Sequence, residues 1–411
     1  MGERPDGAAG DSGKRLRLAR QARGFSQQQL AGMAGVSRQA VSAVESGLSD
    51  PSLRVALALA RALGLTIEEL FGPETPEFQV DARPVAALGE AGGRVQLAPV
   101  GDALVALPLS GAAVTRGGFV PADGLIGATA DATCQAARPV QAARPVQAVR
   151  PLSPLRPTLI VAGCDPAIPL LETPLGLLDP PVSFAWWPCP SGEALELAAR
   201  GLVHAAGAHL RGRSGEYNVG PARDLIRQGA EVIGFCAWRE GLLLRPDLAG
   251  QVSGIADVAR LGLRLVNRES GAEARQLLDR ELADLGIDPA TIPGYQTRAA
   301  GHLQVAAAIA AGLADVGVAS EPAALAYGLG FFPLAAERFD LVIPADRAGT
   351  REAQGLLRVL SSRWLLDQLA SLPGYDPAPC GEHIATLARA SALEPGPRSG
   401  PRTGAAGRAD G

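Results

Sequence analysis

Lysine is almost absent from this chain of 411 residues, occurring only at Lys14, and aromatic residues make up 4% of it. Basic charge is therefore carried by arginine, in a composition rich in alanine, glycine, leucine and proline that fits GC-rich coding. There are five cysteines (Cys134, Cys164, Cys189, Cys236 and Cys380), with no C-x-x-C pair among them. An odd, dispersed set argues against a disulfide framework and against a structural zinc site. No run approaches the roughly 18 consecutive apolar residues that a spanning helix needs. The segment Met1–Arg15 has no apolar core of the kind a signal peptide carries. The expectation is a cytoplasmic protein with no membrane partner. No HExxH, GxSxG or GxxxxGK[ST] pattern occurs, so neither enzymatic activity nor a bound cofactor or metal is expected.

The chain does have apolar residues in quantity, 47% of the total, and enough length for two or three domains. Charge is unevenly spread. Residues 13–72 hold eight Lys/Arg against four Asp/Glu, a balance of +4 against −4 for the chain, so the rest carries −8. A basic head on an acidic body suits a head that meets phosphate.

The spacing of the head predicts five short helices after a flexible arm of about a dozen residues. Leu16, Leu18 and Ala19 give the first helix an apolar face. Ser26 suits the N-cap of a second helix, with Leu30 and Met33 inward. Gly35 permits a sharp turn, and Ser37 caps a third helix over Arg38–Ser46 whose Val41 and Val44 pack inward. Ser52–Leu63 and Thr66–Phe71 complete the bundle. Arg38, Gln39 and Ser42 lie opposite the valines, as side chains that read base edges would.

The stretch FSQQQLAGMAGVSRQAVSAVESGLSDPSL (Phe25–Leu53) resembles the XRE family of Cro- and phage-repressor-like helix-turn-helix domains. The resemblance implies that Gln27 contacts a phosphate, that Ser37, Arg38, Gln39 and Ser42 face double-stranded operator DNA, and that Glu45 is structural. It also implies a homodimer on an inverted repeat.

Beyond the head, residues 78–133 read as a small β-rich connector with strands near Val95 and Leu104. Residues 134–157 contain a short imperfect repeat with a proline in each unit, Gln135–Pro151, and read as a mobile linker. From residue 158 to 390 apolar runs alternate with helical stretches, including Glu193–Leu210, Ala272–Leu285 and Leu303–Leu313, the signature of an α/β domain. Residues 391–411 read as a disordered tail.

Several phrases in this body are similar to the two-lobed, type 2 periplasmic-binding-protein-like domains: VAGCDPAIPLL (Val161–Leu171), HLRGRSGEYN (His209–Asn218), WREGLLL (Trp238–Leu244), LVNRESGAEARQLLDREL (Leu265–Leu282), GHLQVAAAIAAGLADVGVA (Gly301–Ala319) and FDLVIP (Phe339–Pro344). The resemblance implies doubly wound lobes, a chain crossing between them near Leu243–Pro246 and Phe339–Pro344, and a ligand in the cleft. Related domains bind oxyanions such as molybdate in a GSGTR turn. Here that turn is Gly271-Ala272-Glu273-Ala274-Arg275, without hydroxyls and with a carboxylate in the first helical turn. Glu273 competes with an anion for the same N–H groups and suits a ligand bearing an amine or hydroxyl. The cleft candidates are Cys164, Asp165, Ser191, Tyr217, Arg239, Arg268, Glu273, Arg275 and His302, with His204 read as an interior histidine. The fold class expected is therefore multidomain α and α/β: a five-helix head, a β-rich connector and a two-lobed body. Two functions compete: a transcription regulator that senses a small cytoplasmic molecule, and a constitutive DNA-binding protein whose body serves only oligomerisation.

Overall fold

The computed structural model describes residues 8–71, 79–110, 119–127, 146–152, 154–212 and 216–389. They divide into two compact units, one ending at Val80 and the other beginning at Asp81.

The first unit is a five-helix bundle: α1 Ala8–Ala22, α2 Gln27–Ala34, α3 Arg38–Glu45, α4 Leu53–Leu63 and α5 Ile67–Phe71. Helix α1 begins at Ala8, inside the expected arm. Ser26 caps α2 through a reciprocal capping box with Gln29, and Gly35 ends it in the left-handed region at φ 64°. Ser37 caps α3 by accepting from the Ala40 amide. Leu16, Leu30, Val41, Val44, Leu59, Leu63 and Leu70 form the core. Leu18 and Met33, expected inside, are 64% and 55% exposed because each sits one helical step off the buried stripe. Gly13 lets α1 close on α3; a Cβ there would lie 2.5 Å from the Val44 carbonyl oxygen.

A buried ion pair ties three of these helices. Arg20 donates from Nε to Glu45 Oε1 at 2.6 Å and from Nη2 to Glu45 Oε2 at 3.0 Å, and Gln27 Nε2 donates to the same carboxylate at 2.9 Å.

The second unit starts with a closed five-stranded barrel: β1 Val80–Pro84, β2 Arg94–Val100, β3 Ala103–Pro108, β4 Gly124–Ile126 and β5 Gln147–Pro151. The expected linker is corrected here. Its last repeat, Gln147–Pro151, is β5 and pairs antiparallel with β4. The earlier repeats lie outside the described residues, as does the expected tail. Val85, Ala98, Val100, Val105 and Leu107 share one core with Leu195 and Ala198 of the following domain, so the barrel is docked on that domain.

That domain is built on one nine-stranded sheet: β6 Thr158–Ala162, β7 Ser183–Trp187, β8 Ala205–Ala208, β9 Ala230–Leu244, β10 Leu265–Arg268, β11 Arg298–Ala299, β12 Val316–Ser320, β13 Gly330–Pro344 and β14 His383–Leu387. Strands β9 and β13, each 15 residues long, pair with one another along their length. Their outer halves join β6, β7, β8 and β14 in one lobe; their inner halves join β10, β11 and β12 in the other. Two apolar clusters cover the two faces in the first lobe and two more in the second, as helices on both sides of a sheet require. The lobes thus share a sheet rather than owning one each. The crossings fall at about residues 237–241 and 333–339, several residues before both expected positions, where the β13 register shifts twice. The expected helix Glu193–Leu210 ends at Ala199. Ala205–Ala208, too small to show a β signal, is a buried strand, and a Cβ on Gly207 would strike the Phe339 ring at 2.3 Å.

The Arg20–Glu45 pair gives the head an acid limit. Although burial opposes ionisation, the bonds from Arg20 and Gln27 hold the Glu45 carboxyl below the ordinary 4.5. Stability from the pair is thus complete above pH 4.5 and is lost as pH falls through the lower folded value. Glu45→Gln is expected to cost residues 1–80 about 1–3 kcal/mol at pH 7 in urea unfolding. The gap to the unmodified head should close toward pH 3; a gap constant with pH contradicts the assignment.

Candidate functional site: a buried polar cluster between the lobes

Strands β6 and β8 run parallel and adjacent, and residues one or two positions past their ends come together. Cys164 lies two residues past β6 and His209 one past β8, with His209 Nε2 3.2 Å from Cys164 Sγ. Ser191 Oγ accepts from the His209 amide at 3.2 Å and lies 4.0 Å from Cys164 Sγ. Ser191 opens a helix, α6 Ser191–Ala199, without capping it; the hydroxyl serves the cluster instead.

The crossing strands bring Trp238 and Glu240 from β9 and Glu337 from β13, all buried. Glu337 Oε2 lies 3.6 Å from His209 Nδ1, and Trp238 Nε1 donates to Glu240 Oε2 at 3.3 Å. The second lobe supplies His302, Arg268, Glu273 and Ser320, also buried. His302 begins its helix, His302–Ala310, one residue earlier than expected; its Nδ1 accepts from the Ser320 amide at 3.2 Å and lies 3.6 Å from Glu240 Oε1. Arg268 donates to Glu269 at 2.9 and 3.1 Å.

Seven atoms in this cluster are buried without a hydrogen-bond partner in the protein: His209 Nδ1, Glu240 Oε1, Glu337 Oε2, Arg268 Nη1, Glu273 Oε2, His302 Nε2 and Ser320 Oγ. Native interiors pair such atoms, so their concentration here makes this cluster the candidate site. Burial pushes the Glu240 carboxyl up to about 7, with Glu337 adding to the shift and His209 opposing it. Burial opposes the charged form of His209, but the Cys164 sulfur, Glu337 and Glu240 carry it well above its ordinary value. His302 is held well below its own by burial, Arg268 and His209. A cavity of about 180 Å³ opens beside the cluster, lined by Cys164, Trp186, Glu269, Gly301, His302 and Gln304.

The sequence candidates divide accordingly. Cys164, Ser191, Arg268, Glu273 and His302 come together. Asp165 sits behind them, buried, accepting from the Ala167 amide at 2.7 Å and from the Tyr375 hydroxyl, and burial lifts its carboxyl to about 7. Glu273 does not cap its helix as expected; its Oε1 takes a 2.5 Å bond from Arg280, and its other oxygen is left unpaired. Arg239 leaves the cleft, half exposed, to pair with Glu321. Arg275 lies over the Tyr295 ring and braces the Arg268 carbonyl. Tyr217 donates to the Ala336 carbonyl at 2.6 Å, tying the first lobe to a crossing strand. His204 is structural, accepting from the Ile160 amide, and burial lowers it to about 4. His209, Glu240 and Glu337 were missed. The position of His209 just past a parallel strand, close to that of Cys164 past its own, could have found it.

On the head, Ser37, Arg38 and Gln39 are exposed at the start of α3. The Gln27 amide is partly committed to Glu45.

Two regions match known families: residues 16–70 a helix-turn-helix model, and residues 175–361 a PBP superfamily domain. The chain belongs to the XRE-like helix-turn-helix regulators and carries a PBP-like domain. This regulator is 31% identical over 146 residues to the uncharacterized protein YvgK of Bacillus subtilis (strain 168), covering 36% of this chain and 47% of YvgK; it thus spans about half of that relative's length. It is 40% identical over 63 residues to the uncharacterized HTH-type transcriptional regulator MJ0272 of Methanocaldococcus jannaschii, covering 15% of this chain and 96% of that protein. Among solved structures, a putative phosphate ABC transporter substrate-binding protein with bound phosphate from Clostridium perfringens is similar over 54% of this chain and 99% of that chain, at 11% identity and TM-score 0.41. Among the described residues of the regulator, no helix is long and apolar enough to cross a membrane.

The crossing of this regulator is held by Asn218, the centre of a tight γ-turn at φ 61° closed by the Val219 amide on the Tyr217 carbonyl. Its Oδ1 accepts from the Leu210 amide at 2.7 Å, and its Nδ2 donates to Asp340 at 2.8 Å and to the Arg338 carbonyl at 3.2 Å. Asn218→Ala is expected to lower stability by about 2–4 kcal/mol in urea unfolding, from unpaired buried groups and backbone strain. Asn218→Gly loses the same bonds without the strain and should recover about 1 kcal/mol. Equal losses would contradict a strained turn.

Proposed function

We propose that this chain is a one-component transcription regulator: the head binds operator DNA, and the cleft of the body senses a small molecule or ion whose binding alters that affinity. The observation that carries the sensing role is the set of seven unpaired, buried polar atoms converging from both lobes. A body kept for oligomerisation alone would gain nothing from burying Glu240, Glu337 and Glu273 together, since each loses hydration without a full set of partners. Both units support a non-enzymatic reading, in which the body binds and the head responds. The protein acts as a homodimer, because a single such head covers only a half-site.

The charge of the cleft sets the ligand class. Three of the atoms without a hydrogen-bond partner are carboxylate oxygens, of Glu240, Glu337 and Glu273. Those oxygens favour a cation or a molecule presenting N–H or O–H donors over an oxyanion. Molybdate, tungstate and sulfate are expected to bind weakly or not at all in calorimetry. The combination Ala272→Ser, Glu273→Gly and Ala274→Thr restores room and donors and should bring oxyanion binding back. Tight molybdate binding by the unmodified chain would refute this reading of the cleft.

On the head, we assign sequence reading to Arg38, Gln39 and Ser42, with Ser37 and Gln27 at the phosphates. Gln39→Ala is expected to cost about 1–3 kcal/mol on an operator selected by the full chain, and to leave binding to random DNA nearly unchanged. Equal loss on both would place Gln39 among the phosphate contacts.

A further inference from the structure

We propose that Cys164, His209 and His302 form a binding site for a transition-metal ion of the zinc type, inside the cleft. Each of the three offers one ligand atom, all within 4.8 Å of one another and all buried. Donors on a tetrahedral zinc ion sit about 3.3–3.6 Å apart, given metal–ligand bonds of about 2.0–2.3 Å. The Cys164 Sγ–His209 Nε2 separation of 3.2 Å is already near that value, and His302, whose ligand atom lies within 4.8 Å of both, closes the set by a small inward shift. Two imidazoles and a sulfur are a donor set that zinc and its neighbours prefer over calcium or magnesium.

The second observation is independent of these distances. A histidine that ligates through one ring nitrogen almost always donates its other N–H to a carboxylate or carbonyl. Both histidines have that partner in place: His209 Nδ1 is 3.6 Å from Glu337 Oε2, and His302 Nδ1 is 3.6 Å from Glu240 Oε1. His209 Nδ1, Glu337 Oε2, His302 Nε2 and Glu240 Oε1 are four of the seven unpaired buried atoms. One ion accounts for all four. Both Nε2 lone pairs go to the metal, and both Nδ1–H groups go to the glutamates.

For His302 this requires a change of tautomer. Its Nδ1 now accepts from the Ser320 amide, which puts the proton on Nε2; loading moves that proton to Nδ1 and turns the N–H to Glu240. Cys164 binds as the thiolate and His209 through an unprotonated Nε2, so loading releases the protons those atoms held to solvent. The dication takes the place of those protons among the buried carboxylates. Three protein ligands leave a fourth position, and Cys164 and His302 also line the 180 Å³ cavity, where water or a small molecule can complete the shell.

The site stands on this geometry; its role as effector rests on the regulator reading above. The test uses the full chain, stripped with a chelator and titrated with zinc in a calorimeter. One ion per chain with sub-micromolar affinity is expected. Cys164→Ser and His302→Gln should each weaken binding by about 100-fold or more. Glu337→Gln, which removes only the partner of His209, should weaken it by about 10–100-fold. His383→Gln, at an exposed histidine on β14, should change nothing. Cobalt in place of zinc should show a thiolate-to-cobalt charge-transfer band, which tests the site even where a variant misfolds. Absence of stoichiometric zinc, a cobalt spectrum without that band, or unchanged affinity in both Cys164→Ser and His302→Gln overturns the site. Operator affinity on the same samples separates the two ideas. Zinc bound with operator affinity unchanged supports the site and counts against sensing; no zinc bound, with operator affinity shifted by another ligand, overturns the site and leaves sensing standing.

Discussion

Two glutamates buried at the crossing between the lobes are the constraint around which the body is arranged. Glu240 and Glu337 enter on strands that the chain cannot move, because each strand belongs to both halves of one sheet. Losing hydration costs several kcal/mol per ion, and protein partners satisfy only part of the lost hydrogen bonding. His209 and His302 face them from opposite lobes, each at 3.6 Å. The positions of Cys164, Ser191 and Arg268 follow, since each borders an imidazole or a carboxylate already fixed. Such an arrangement is kept at a cost in stability, which is what the proposed binding role accounts for.

The two units carry different kinds of polar network. In the head, Arg20, Gln27 and Glu45 satisfy one another and lock three helices, leaving the start of α3 exposed for a partner. In the body, the network is left incomplete, which is what a site needs and what a scaffold avoids. The barrel belongs with the second unit and shares its core, so it extends the body rather than acting as a hinge. Linkage requires that whatever the body binds changes operator affinity only through a difference between two states, and that DNA changes ligand affinity by the same factor.

Much of this was legible in the sequence, for reasons particular to each element. Ser26, Gly35 and Ser37 mark helix ends through local hydrogen bonding, so the head could be parsed residue by residue. The strands of the body announced themselves as apolar runs. Ala205–Ala208 did not, because small residues fit beneath Phe339 only in the fold, and alanine alone favours a helix. The repeat ending at Pro151 read as a linker, since pairing with β4 is a long-range contact with no local signature. The resemblance pointed to the turn around Glu273 and to His302. It could not place His209, 93 positions before His302, against the same sulfur. Convergence of that kind comes from topology, and only the rule that ligands gather past parallel strand ends hints at it.

The central claim is that the unpaired cluster between the lobes is a binding site rather than an imperfectly packed interior. Native mass spectrometry of the full-length chain, purified without chelator and supplied with zinc, tests it most directly. The account predicts one bound species per chain, retained in the native spectrum, released on unfolding, and lost in a variant carrying both Glu240→Gln and Glu337→Gln. A native mass equal to that of the bare polypeptide, or a bound species indifferent to that double substitution, would contradict it.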